Sequence, residues 1–149
     1  MIKGFRGKYF FLSNFYECPV TYKGVTYLNT ESAFQAQKIL DNEKRGKLFS
    51  HLNPSKAKSK GRSVNLRHDW EQVKDKEMYN IVFSKFSQDP IMKKKLLDTG
   101  DQYLEETNTW NDTYWGVCRG VGKNKLGKIL MEVREEIKSE KRKKDIFKM

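Results

Sequence analysis

Asp69-Trp-Glu-Gln-Val-Lys-Asp-Lys-Glu-Met-Tyr-Asn-Ile-Val-Phe-Ser-Lys-Phe86 is the stretch on which the fold class turns. Asp69 with Gln72 three residues later matches a capping box, a signature of helix starts. Val73, Met78, Ile81, Val82 and Phe86 follow at helical spacing, which predicts a long helix with one apolar face. On the C-terminal side, Asp89-Pro90 starts another helix that stops near Thr99-Gly100. On the N-terminal side, Asn53-Pro54 pairs a cap residue with Pro at the first helical position. Further upstream, Thr30 offers an N-cap and Glu31 a first-turn negative charge for a helix reaching about Phe49. Pro19-Val-Thr-Tyr-Lys-Gly-Val-Thr-Tyr27 holds two short β-prone runs around Lys23-Gly24, which predicts a hairpin. Leu126, Ile129, Leu130, Val133 and Ile137 predict a last amphipathic helix. Between Gly100 and Gly127 no period is evident, so that stretch reads as a long structured loop of the kind that serves a site. The fold class expected is mainly α, a single domain over 1–149 with a small β-hairpin near the N-terminus.

Composition narrows the classes. The 149 residues are 37% apolar and carry nine Phe, seven Tyr and three Trp, enough bulk for a packed core. No apolar run approaches the ~20 residues that span a bilayer, and the opening Met1-Ile-Lys-Gly-Phe5 does not read as a signal peptide. A cytoplasmic protein with no membrane partner is expected. Cys18 and Cys118 lie far apart, and His51 and His68 are the only imidazoles. A zinc site needs three or four closely spaced N/S ligands, so no metal is expected, nor any cofactor. The net charge is +11, and nine of those charges fall in two segments. Residues 54–68 hold five bases and no acid, which suits contact with phosphates. Residues 138–149 hold six bases and two acids and read as a basic, frayed helix end.

Three clusters could carry chemistry. Glu31, Gln35 and Lys38 stand at i, i+4 and i+7 on one helix face, beside Phe34 and an apolar stripe of Ala33, Ala36 and Leu40. By spacing alone that row reads first as an ordinary surface row, with Glu31 helping the helix dipole and Lys38 solvated. Ser13 and Asn14 interrupt the aromatic run Phe10-Phe-Leu-Ser-Asn-Phe-Tyr16 and could hydrogen-bond a base or ribose, or simply make a turn. Trp110-Asn-Asp-Thr-Tyr-Trp-Gly116 sets one carboxylate, Asp112, among aromatics. Gly120-Val-Gly-Lys-Asn124 then leads into a helix start, a combination that suggests an anion-binding nest, though the Walker A order is absent.

Taken in order, these segments resemble the NADAR, or YbiA-like, family from about Phe10 to Glu140. The matching stretches are Phe11-Leu-Ser-Asn-Phe15, Thr30-Glu-Ser-Ala-Phe-Gln-Ala-Gln-Lys38, Gly61-Arg62, Asp69-Trp70, Thr107 through Trp115-Gly116, and Gly122-Lys-Asn-Lys-Leu-Gly-Lys-Ile-Leu-Met131. The resemblance implies an N-glycosidase cleaving the bond between a ribose phosphate or ADP-ribose and a nitrogenous base. Its substrate is then a riboflavin intermediate such as a phosphoribosylaminopyrimidine, or guanine bearing ADP-ribose in nucleic acid. It implies catalytic roles for Glu31, Lys38 and Asp112, with Glu31 stabilising an oxocarbenium-like ribose and Asp112 handling the proton. Lys38 would grip phosphate or hydroxyl, or form a Schiff base with the opened sugar. Ser13, Asn14, Phe15, Gln35, Arg62, Trp110, Trp115, Gly116 and Asn124 fall on binding positions. Two stretches depart from the pattern. Ser32 stands where the family usually has His, and Val117-Cys118-Arg119 replaces acidic and glycine residues, which implies altered contacts to phosphate or base. The rival from another class is a non-catalytic basic protein that binds nucleic acid or ADP-ribose.

Overall fold

The computed structural model describes residues 1–148. In chain order it contains β1 (Ile2–Lys3), a 3-10 helix (Gly7–Leu12), β2 (Glu17–Tyr22), β3 (Val25–Asn29), α1 (Thr30–Ala36), α2 (Asn42–Phe49), α3 (Pro54–Gly61) and α4 (Trp70–Gln88). There follow α5 (Pro90–Leu97), β4 (Leu104–Glu105), β5 (Thr107–Asn108), β6 (Val117–Cys118) and α6 (Lys125–Phe147). The protein is mainly helical with small sheets and a hairpin near its start, as the sequence predicts. Contacts divide it into two compact units, Ser13–Gln88, and Met1–Leu12 with the chain from Asp89 onward. Among the described residues no helix is long and apolar enough to cross a membrane.

In the Ser13–Gln88 unit, β2 and β3 pair antiparallel around Lys23-Gly24. Both turn residues have positive φ, 51° and 80°, the geometry whose twist matches the strands in a two-residue hairpin. The register shifts between Glu17 and Val20, and Pro19, which has no N–H to pair, occupies that irregularity. Cys18, Val20 and Tyr22 point inward, as strand alternation requires. Helix α4 buries Met78, Ile81, Val82 and Phe86, each contributing roughly 1.5–3 kcal/mol by leaving water. At its start, Asp69 takes the Arg67 guanidinium side-on, at 2.6 and 2.9 Å. The Asn53-Pro54 start is realised, with Asn53 Oδ1 accepting from the Lys56 N–H at 2.8 Å.

One expectation fails here. The helix predicted from Thr30 to Phe49 is two helices, and its cap is Asn29, whose Oδ1 accepts from the Ser32 N–H at 2.7 Å. Helix α1 stops at Ala36, where the Gln37, Lys38 and Ile39 N–H groups turn to carbonyls three residues back, and the next carbonyls are taken from further along the chain. Arg67 N–H donates to the Lys38 carbonyl at 2.9 Å, and Arg45 Nε to that of Ile39 at 2.8 Å. Asp41 then caps α2 through bonds from the Glu43 and Lys44 N–H groups. All seven residues of α1 are buried, so its polar side chains must find partners inside.

In the other unit, Asp89 caps α5 with Pro90 at its first position, as predicted. Helix α6 buries the expected stripe of Leu126, Ile129, Leu130, Val133 and Ile137, and continues helical to Phe147. Arg134 donates to Thr99 Oγ1 at 2.9 Å and Lys138 to the Gly100 carbonyl at 3.2 Å, so α6 closes the C-terminal end of α5. The stretch predicted as a loop carries β4, β5 and β6, which pair β1 with β4 and β5 with β6, both parallel.

Candidate active site

Helix α1 turns the i, i+4, i+7 row inward. Glu31 is 8% exposed and Gln35 6%, while Lys38, just past the helix end, is half-buried. Gln35 Nε2 donates to Glu31 Oε1 at 2.8 Å, which fixes the carboxylate and leaves a charge held in poorly solvated surroundings. Gln35 Oε1 is itself buried with no hydrogen-bond partner among the described residues. Gly61, at the end of α3, makes room for this amide. A Cβ there would overlap Gln35 Oε1 and lie 2.7 Å from its Cδ. The Gly61 carbonyl in turn accepts from Lys38 Nζ at 3.4 Å. Burial pushes the Lys38 ammonium below its ordinary 10.5; Glu31 opposes that shift and Arg62 adds to it. Glu31, Gln35, Lys38, Gly61 and Arg62 therefore form one electrostatic group within the Ser13–Gln88 unit.

The Ser13-Asn14 turn joins the same group. Phe15 N–H donates to Ser13 Oγ at 3.1 Å, so the turn that the sequence offered as one reading forms with Ser13, where Asn14 was expected to cap it. The Asn14 carbonyl accepts the Glu31 backbone N–H at 3.1 Å. Among the described residues Asn14 Nδ2 meets only a thioether, Met78 Sδ at 3.5 Å, a weak acceptor that a ligand oxygen readily replaces. Phe15 is half-buried beside it.

The loop residues lie in the other unit and form their own cluster. Asp112 Oδ1 accepts the N–H groups of Tyr114 and Trp115 at 3.1 and 2.9 Å. Asn108 fastens the loop, accepting from the Trp110 and Asp112 N–H groups and donating to the Asp112 carbonyl at 2.9 Å. Trp110 is 58% exposed, and Trp115 stands edge-on to Tyr114 at 4.8 Å. Gly116 is buried where a Cβ would overlap the Glu106 carbonyl. Asn124 turns its side chain to strand β4 and the residue after it, donating to the Leu104 carbonyl and accepting from the Glu106 N–H.

The anion nest suggested by the Gly120–Asn124 stretch is corrected. The N–H groups of Lys123, Asn124, Lys125 and Leu126 donate to the carbonyls of Thr113, Gly116, Tyr114 and Trp115. The loop itself occupies the helix N-terminus that an anion would need.

One buried group was missed by the sequence reading. Lys85 on α4 is 1% exposed and donates from Nζ to the Ser13 carbonyl at 2.9 Å. Its signal was present: Lys85 falls four residues after Ile81 and seven after Met78, within the apolar stripe.

A family model describing the NADAR domain matches residues 4–138 and so runs through both compact units. The N-glycosidase YbiA of Escherichia coli (strain K12) is 41% identical over 132 residues, covering 87% of this chain and 82% of the relative. An N-glycosidase of Nostoc punctiforme is 34% identical, with 85% of each chain covered. A riboflavin biosynthesis protein of Vibrio vulnificus is 38% identical over 85% of this chain and 35% of its own length. The NMR structure of E. coli YbiA superposes with a TM-score of 0.82 at 37% identity, covering 94% of this chain and 87% of that one.

Proposed function

The chain belongs to the NADAR family, and on that premise we propose that it hydrolyses the N-glycosidic bond between a ribose phosphate or ADP-ribose and a nitrogenous base. The observation that carries the reading is the buried Glu31 carboxylate, held by Gln35 at 2.8 Å with Lys38 and Arg62 close by in the same unit. In the reaction the C1′–N bond breaks, a water oxygen adds to C1′, and a proton passes to the departing base nitrogen. As the bond breaks, positive charge develops on C1′ and the ring oxygen. A fixed carboxylate in poorly solvated surroundings stabilises that charge without reorganising. Glu31 takes this role, and Gln35 keeps its Oε1 aimed.

Arg62 and the lysines of α3 supply the positive field for the substrate's phosphate. Lys56, Lys58, Lys60 and Arg62 follow one another without an intervening acid. Lys38 either holds a phosphate or hydroxyl oxygen or attacks C1′ of the opened sugar, losing water to form an imine. Its lowered pKa favours the second arm by raising the share of free amine. Asn14 and Ser13 bind sugar or base through the turn above Glu31. For Asp112, Trp110, Trp115, Gly116 and Asn124 the proposal rests on the family motif alone, and Asp112→Asn tests it separately through the protonation step.

The acid-free basic segment favours a nucleic-acid-borne substrate over a small metabolite. The deciding experiment incubates wild type and Glu31→Gln with ADP-ribosylated guanine in DNA and, separately, with a phosphoribosylaminopyrimidine, and identifies products by mass spectrometry. Glu31-dependent release of ADP-ribose assigns the first substrate, and release of ribose 5-phosphate the second. Cleavage of neither, with salt-dependent DNA binding that survives in Glu31→Gln, replaces the enzyme with a binding protein.

A further inference from the structure

A lysine with its ammonium end in an apolar stripe is an expensive choice. Lys85 projects from α4 beside buried Ile81, Val82 and Phe86, and is 1% exposed. Its Nζ lies 5.0 Å from the Phe86 ring centre and 5.9 Å from that of Tyr16. Its hydrogen bond goes to the Ser13 carbonyl, 72 residues away in sequence, at 2.9 Å. Burial lowers its pKa from 10.5 to about 7, with the nearby Cys18 pulling the other way. A methionine would fill the same slot without removing a charge from water. The retention of an amine therefore calls for something other than packing.

The acceptor says what that is. The Ser13 carbonyl belongs to the turn whose next carbonyl, that of Asn14, receives the Glu31 backbone N–H at 3.1 Å. Among the described residues Asn14's own side chain is steadied by a sulfur alone, at 3.5 Å; the turn closes on itself through the Tyr16 N–H, which donates to the same Ser13 carbonyl at 3.2 Å, and Lys85 ties that carbonyl to α4 from behind. We propose that Lys85 is a positioning residue that locks the Ser13-Asn14 turn and, through the Asn14 carbonyl, sets the backbone of Glu31. This rests on the reading of Glu31 as the catalytic carboxylate. Lys85 does not touch the reacting atoms. It holds the peptide that presents Ser13 and Asn14, and a displacement of about 1 Å there is enough to cost on the order of 100-fold in rate.

The test compares wild type, Lys85→Met and Lys85→Gln by steady-state kinetics, thermal melting and 1H–15N NMR. The kinetics use the phosphoribosylaminopyrimidine or ADP-ribosylated guanine, whichever wild type cleaves. Lys85→Met is expected to stay folded, to melt no lower than wild type at pH 6, and to lose at least about tenfold in kcat with KM within about threefold. Its Asn14 and Glu31 amide resonances shift, while those of α5 and α6 stay in place. Lys85→Gln, which keeps an N–H donor, recovers part of kcat. A structural role alone would tie lost activity to lost stability, whereas here the two part company. A folded Lys85→Met with wild-type kcat, or with unmoved Asn14 and Glu31 amides, overturns the proposal. If only Lys85→Gln folds, the same two readouts decide on it; if neither folds, Lys85 serves folding alone and the proposal fails. Wild type that cleaves neither compound removes the proposed function instead, and the amide shifts then decide the positioning by themselves.

Discussion

Replacing Lys85 by methionine should make the protein more stable in mild acid and no more stable in mild base. In the folded state Lys85 titrates at about 7, in the unfolded chain near 10.5. Below pH 7 both states carry the proton, and the folded state bears the full penalty of a buried charge. At about 1.4 kcal/mol per pH unit, that penalty is at most about 5 kcal/mol. Between pH 7 and 10.5 the unfolded chain binds more protons than the native one, so wild-type stability rises with pH across this window. At pH 9 the remaining penalty is about 2 kcal/mol by the same linkage. Against the gain stands the loss of the 2.9 Å bond to the Ser13 carbonyl, which keeps only the Tyr16 N–H at 3.2 Å among the described residues; losing a bond from a lysine amine costs about 1.5–3 kcal/mol. The balance for Lys85→Met is roughly +2 kcal/mol at pH 6 and close to zero at pH 9. For a chain of this size the first figure is a rise in Tm of roughly 4–8 °C. Urea melts of both proteins at pH 6, 7.5 and 9 read the difference, and titrating groups not coupled to Lys85 cancel in the comparison. A Lys85→Met variant less stable than wild type at pH 6, or a difference that does not change with pH, refutes the reasoning.

The remaining predictions concern the catalytic group. Glu31→Gln should lower kcat by about 10²–10³-fold while preserving the fold, because one electrostatic contact made in the transition state is lost; turnover by this variant at the wild-type rate removes Glu31 from the mechanism. Gly61→Ala drives a methyl group into the Gln35 amide; about 0.5–1 kcal/mol of helix gain is outweighed by about 1–3 kcal/mol of overpacking. Urea melts should show a net loss of about 1 kcal/mol, with kcat falling as Gln35 lets go of Glu31. If Lys38 forms an imine, borohydride reduction during turnover should leave a covalent sugar adduct on that residue by peptide mass mapping, absent in Lys38→Ala, and the rate should rise with pH through a midpoint below 10.5. Adduct-free protein after reduction during active turnover leaves Lys38 as an anion holder. Trp110→Ala, at a side chain 58% exposed, should leave stability within about 0.5 kcal/mol yet raise KM by roughly 5- to 150-fold if a base stacks there.

Several elements are legible without any structure because their causes lie within a few residues. The Lys23-Gly24 hairpin, the Asn53-Pro54 and Asp89-Pro90 starts, and the buried stripe of α6 each follow from a turn, a cap or a 3.6-residue period. The i, i+4, i+7 row of Glu31, Gln35 and Lys38 also follows from the period, although spacing does not say whether that row faces water or the interior. The burial of all of α1 answers that question, and it depends on what packs around the helix.

Where the reading fell short, the cause was a partner remote in sequence. Helix α1 ends at Ala36 in bonds that reach only three residues back, and the Arg67 N–H, far along the chain, takes the Lys38 carbonyl; locally the break is announced by Asp41, the cap of α2. The glycine-rich approach to α6 looks like an anion nest until the carbonyls of residues 113–116 are seen to occupy its N–H groups. Sequence by itself determined the helices other than the divided 30–49 stretch, the hairpin, the family and the residue types available for chemistry, because propensity, capping and periodicity act between neighbours. Tertiary structure alone decided which polar groups lose their water and which carbonyl each one meets. Lys85 meeting the Ser13 carbonyl across 72 residues is such a case, since desolvation and hydrogen bonding depend on what the fold brings near, whatever the distance along the chain.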